Sequence, residues 1–175
     1  EISLGLVGSE MCIRDSIFAL VLTWDNYRAR GSQRYAVTVK EPGVEWASKN
    51  MLVLGWIILA GLALHFINFW AKMQLVEIMG GEENSLGLDA ANGYDLILYT
   101  FSHWYYALIY LLWFLALWFH LTHGVWSMFQ SAGWAGDTWY PRLKWIARIV
   151  ATIVFLGFAC VVVIFYLRAN GCCCC

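Results

Sequence analysis

The chain has 175 residues, 61% of them hydrophobic and 13% charged, with a mean hydropathy of +0.62. Soluble domains average about 45–50% apolar and about 25% charged residues, so the composition excludes a soluble domain and defines a membrane protein; no nucleic-acid partner is expected. Eleven Trp, nine Tyr and ten Phe fit that class, because amphipathic rings collect at the headgroup level. The net charge of −1 means little until it is divided among loops.

In chain order, the first apolar run is Ile17–Trp24, only eight residues long. A bilayer core needs about 20. Extending the run backwards would place Arg14 and Asp15 in lipid at roughly 3 kcal/mol each, so it reads as the tail of a helix whose beginning is missing. Three full spans follow: Met51–Trp70, Trp104–His123 and Val150–Leu167. The expected fold is therefore all-α, a transmembrane helical bundle of three full spans plus the tail of a fourth. Pro42-Gly43 punctuates the first loop, and Asp137-Thr138 with Pro141 supplies a cap and first-turn proline for the last helix. The sequence contains no internal repeat and no nucleotide-binding glycine loop.

The loops give the orientation. Loop 25–50 carries Arg28, Arg30, Arg34, Lys40 and Lys49, and loop 131–149 carries Arg142, Lys144 and Arg148. Loop 77–95 holds Glu77, Glu82, Glu83, Asp89 and Asp95 with no Lys or Arg. By the positive-inside rule the two basic loops are expected in the cytoplasm and the acidic loop outside.

Cys12, Cys160 and the run Cys172–Cys175 show no zinc-ligand spacing. Cys160 lies in an apolar run and reads as a small hydrophobe. The terminal run lacks the usual C-terminal lipidation motif and reads as an artefactual tail, 171–175.

An ionisable side chain within a span is a functional hypothesis by default. No Asp or Glu lies within the three full spans, but His65 and His120 do. His65 lies about 21 Å from the basic boundary and His120 about 24 Å from the acidic one, so their depths differ by roughly 15 Å. Two imidazoles on one metal would be only about 4 Å apart. These two cannot share one, and each needs a partner from another helix. Each has a glycine four residues away on the same face, Gly61 before His65 and Gly124 after His120. A flat macrocycle could lie in either gap; alternatively, the glycines let helices pack closely while each His hydrogen-bonds across the bundle. His103 and His123 read as polar residues at the two interfaces, with His123 one turn from His120 and able to contact a haem propionate or a quinone.

The run FHLTHGVWS, Phe119–Ser127, resembles a segment of the single-chain, five-helix cytochrome b subunits of succinate dehydrogenase and fumarate reductase. There a helix carries His-x-Ser/Thr-x-Gly-aliphatic-aromatic, matched here by His120, Thr122, Gly124, Val125 and Trp126. GLALHFINFW places His65 at the ligand of the preceding helix, and RARGSQRYAVTVKEPGVEWASKNM resembles the inner loop of the form in Bacteroidetes-like bacteria. The resemblance runs from about Ile17 to Arg168.

The resemblance implies two b haems stacked across a bacterial inner membrane, with His65 and His120 as axial iron ligands from the third and fourth helices of that family. Gly61, Thr122, Gly124, His123 and Trp126 would line the cofactors. It implies a non-catalytic electron-transfer anchor for the flavoprotein and iron–sulfur subunits that handle succinate or fumarate, passing electrons to menaquinone or ubiquinone within membrane lipid. Trp126, His123 and the Trp139–Trp145 region are candidate quinone contacts by depth alone. The second-helix ligand would fall where this chain has Asp15, and the first helix is absent. LGLVGSEMCIRDS, within 1–16, resembles the conceptual translation of a sequencing-adapter remnant and reads as non-native. A signal peptide from Met11 is the rival reading. The natural chain is expected to be longer at its N-terminus, with 17–170 as the bundle. Two alternatives remain: the anchor of another quinone-linked di-haem complex, or a small transporter or assembly protein with structural histidines.

Overall fold

The computed structural model describes residues 17, 18, 20–31, 45–133, 136 and 138–171. Segment 1–16 with Asp15, the loop residues 32–44, Asp137 and the run Cys172–Cys175 lie outside the described residues. The chain divides into a unit of residues 1–42 and a unit of residues 43–175. In the first, the described residues from 17 to 30 are helical (α1). This helix ends at Gly31, whose φ of 56° suits a residue without Cβ.

The second unit runs α2 (Trp46–Lys49), α3 (Met51–His65), a π-helical turn (Phe66–Trp70), α4 (Gln74–Ile78), α5 (Gly93–Ser102), α6 (Trp104–Ser131) and α7 (Trp139–Ala169). Among the described residues there is no strand, only an isolated bridge between Glu83 and Asp89. Three helices are long and apolar enough to cross a bilayer: Met51–Trp70, Trp104–Ser131 and Trp139–Ala169. The second and third have 28 and 31 residues. At about 1.5 Å per residue both exceed a core about 30 Å thick, so they outrun the apolar runs at 104–123 and 150–167 and carry charge and aromatic rings past the edge of the lipid.

Adjacent spans run antiparallel. His65 on α3 meets Tyr110 and Trp113 on α6, and Leu54 packs with Ala116. Along α6 and α7, Trp118 Nε1 donates to Thr152 Oγ1 at 3.1 Å, and Phe114 stacks on Phe158. Buried Ala147 and Ala151 let the helix backbones approach, the small-residue packing that lipid favours because it offers no hydrophobic drive between helices. Outward faces are apolar: Leu52, Ile57, Leu112, Ile153 and Leu156 are all exposed. A sequence that is hydrophobic on every side leaves such faces to lipid.

The two ends of this unit differ. At the acidic end, the polar loop is folded on itself. The Asn84 side-chain oxygen Oδ1 accepts from the Leu86 and Leu88 amides at 2.9 and 3.2 Å. Then α5, absent from the sequence expectations, opens on an Asn92 cap that accepts from the Asp95 amide, and buries Leu96, Thr100 and Phe101. At the basic end, α2 turns straight into α3, and the Asn50 side chain donates to the Trp46 carbonyl at 3.0 Å.

Candidate functional site: two histidine levels

His65 closes α3 at the acidic half of the bundle. Its ring lies 5.0 Å from Phe69, 5.9 Å from Trp113 and 6.2 Å from Tyr110, centre to centre, while the residue as a whole is exposed. The π-helical turn starts at the next residue. Its extra residue per turn brings Asn68 inside, 4% exposed, towards Tyr110, 2% exposed. Neither Asn68 Nδ2 nor the Tyr110 hydroxyl completes a hydrogen bond. The gap expected beside His65 is filled: a Cβ at Gly61 would overlap the Trp113 indole, which is tied across the helices by its Nε1 donating to the Ile58 carbonyl at 3.1 Å. Gly61 here serves close packing.

His120 lies ten residues beyond Tyr110 on α6, about 15 Å along the axis, which matches the depth difference read from the sequence. It is half-buried, and its Nδ1 is buried without a hydrogen-bond partner. The gap at Gly124 is open, since a Cβ there would meet nothing nearer than Met51 Cε at 4.0 Å. Thr122, expected beside the same group, is two residues from His120 and so about 200° round the helix. Its hydroxyl donates to the Phe119 carbonyl at 2.9 Å.

One turn further on, His123 packs edge-on against Trp126 at 4.8 Å. Its Nδ1 lies 3.9 Å from Glu45 Oε2, within ion-pair range but beyond hydrogen-bond reach, and neither it nor buried Trp126 Nε1 has a hydrogen-bond partner. Glu45 instead pairs with Lys144 at 3.3 Å, and Lys144 Nζ lies 4.6 Å over Trp126 and 4.7 Å over Tyr140. Three unpaired ring nitrogens, on His120, His123 and Trp126, thus follow one another along α6. Each costs about 1–3 kcal/mol if left unsatisfied. His103 is at the acidic end, where its Nδ1 lies 3.1 Å from Ser102 Oγ and 3.2 Å from the Tyr99 carbonyl. In the Trp139–Trp145 stretch both tryptophans are exposed, with Arg142 5.5 Å over Trp139.

No group of three or more His, Cys, Asp or Glu side chains that could hold a metal ion occurs among the described residues. Each level offers a single imidazole. At the His120 level the features a haem would use are a half-buried imidazole with an unpartnered Nδ1 and a glycine with open space beside it. At the His65 level, the Trp113 indole occupies the place such a group would need beside Gly61. Sequence reasoning passed over Asn68, although a polar amide within an apolar span was its visible signal. It also passed over Glu45 and Trp113, whose partners lie on other helices. No protein-family model matches the chain, and neither the curated proteins nor the solved structures hold a match.

Proposed function

We propose that this chain is a haem b-carrying membrane anchor that moves electrons between a soluble oxidoreductase module and a membrane quinone. The leading form is the anchor of a succinate dehydrogenase or fumarate reductase in a bacterial inner membrane, a step of the tricarboxylic acid cycle. The observation that carries the reading is His120: an imidazole inside an apolar span, with a buried unpaired ring nitrogen beside the open face at Gly124. A second histidine one level away, about 15 Å by helix rise, supports a two-centre path. When bound, haem supplies reversible one-electron iron chemistry. The chain's own part is to present His120 and His65 as ligands, exclude water with the rings of Phe69, Tyr110 and Trp113, and offer donors at the basic end from Lys144 and Arg148. The basic loops are cytoplasmic in this reading and dock the flavoprotein and iron–sulfur subunits. His123 and Trp126, further along α6, remain the proposed cofactor neighbours, whereas Gly61 packs against Trp113 and Thr122 lies on the side of α6 turned away from His120.

Trp113 seated against Gly61 favours a second reading, in which the histidines only join helices of a small transporter or assembly protein. Co-purification with partner subunits, followed by succinate-dependent quinone reduction and a reduced-minus-oxidised spectrum, separates the two. The electron-transfer reading expects b-type bands and quinone reduction, both diminished by His120→Ala. A spectrum with no haem bands contradicts it.

A further inference from the structure

A cavity of about 170 Å³ at the basic end is lined by neither His65 nor His120, although Trp126, the ring against His123, forms part of its wall. It opens between the segment entering α2 and helices α6 and α7, with Thr122 on its wall, on the side of α6 turned about 200° from His120. Trp46, Trp118 and Phe119 make its apolar walls, and Glu45, Lys144 and Arg148 its polar edge.

The edge carries both signs of charge. Lys144 Nζ lies 3.3 Å from Glu45 Oε1, and this pair leaves the carboxylate with further acceptor sites, since two oxygens offer about four lone pairs. Arg148 has no carboxylate partner among the described residues; its guanidinium lies 5.5 Å over the Trp145 ring. A purely anionic ligand would meet Glu45, and a purely cationic one would meet Lys144 and Arg148. A zwitterion with a phosphate and an ammonium a short chain apart answers all three. A primary ammonium can donate to Glu45, which a quaternary one cannot. Depth agrees with a lipid: Arg148 is two residues, about 3 Å, from the start of the apolar run at Val150, and Trp46 is 60% exposed, as rings at the headgroup level are.

We propose that this cavity binds the headgroup of an ethanolamine phospholipid, its phosphate on Arg148 and Lys144 and its ammonium on Glu45 beside Trp46. The site shares Lys144 and Arg148 with the electron-transfer reading but needs no haem, so lipid retention tests it whether or not that reading holds. Arg supplies charge-assisted, two-point bonds to phosphate, and the ammonium gains from a Trp face.

The test is native mass spectrometry of the full chain purified in an equal mixture of phosphatidylethanolamine, phosphatidylcholine and phosphatidylglycerol. The ethanolamine lipid is expected to be retained about tenfold over the other two, the ratio worth ~1.4 kcal/mol. Glu45→Gln should abolish that preference. Arg148→Gln, at an exposed position where folding is not at stake, should lower retention of ethanolamine and glycerol lipids alike, and Arg142→Gln should change neither. Equal retention of the three lipids overturns the proposal, as does preference for phosphatidylglycerol or a preference that survives Glu45→Gln. Excess inorganic phosphate should leave the retained lipid in place; displacement would assign the cavity to free phosphate and overturn it as well.

Discussion

The two histidine levels share one local pattern, an imidazole and a glycine four residues apart, yet they are different places. At the acidic half, the facing helix puts Trp113 into the glycine's notch and surrounds His65 with rings. At the basic half, the same notch faces only the tip of Met51, and His120 keeps a buried, unpaired nitrogen. Spacing along one helix sets which residues share a face. What fills that face is decided by the neighbour, whose side chains are a separate part of the sequence.

The comparison can be broken most forcefully at Gly61. Gly61→Val drives a branched side chain into the Trp113 indole, and overpacking of this kind costs about 3 kcal/mol. Thermal unfolding in detergent should show a marked loss, whereas Gly124→Ala, facing open space, should change the midpoint little. A similar loss at both glycines would mean that the two notches are filled alike.

A smaller effect is expected between the spans. Thr152→Val removes the acceptor of the Trp118 indole and should cost about 1 kcal/mol, since hydrogen bonds between membrane helices average below that and reach about 1.7. The same unfolding assay reads it, with Thr152→Ser, which keeps the hydroxyl, as the control. Tyr110→Phe at the His65 level should be close to neutral, within about 0.5 kcal/mol, because the hydroxyl it deletes has no partner to lose. A large loss there would show that Asn68 and Tyr110 are bonded to each other or to a buried water.

A similarly small effect on stability belongs to the basic end. Glu45→Gln breaks an ion pair whose side chains are 34% and 27% exposed, and such pairs contribute about 0.2–1 kcal/mol. Lipid retention, rather than unfolding, is where this substitution should register.

Much of this fold was legible because bilayer physics leaves few choices. Apolar runs of span length at 51–70, 104–123 and 150–167 all became helices, and Arg, Lys and Glu segregated between loops. The helix α5 went unread because it has only ten residues, buries only Leu96, Thr100 and Phe101, and follows an acidic loop. The π-helical turn after His65 has no composition of its own by which to read it. At the site, both histidine positions and their separation in depth were readable from helix rise. The occupant of the Gly61 notch was not, because nothing in GLALHFINFW names the tryptophan that meets it.

Haem stoichiometry in the purified assembly, by the pyridine haemochrome method, tests the central claim most directly, with His120→Ala and His65→Ala beside the parent. The account predicts two b haems per parent assembly and one in each variant. No haem in the parent, or two in both variants, would contradict it.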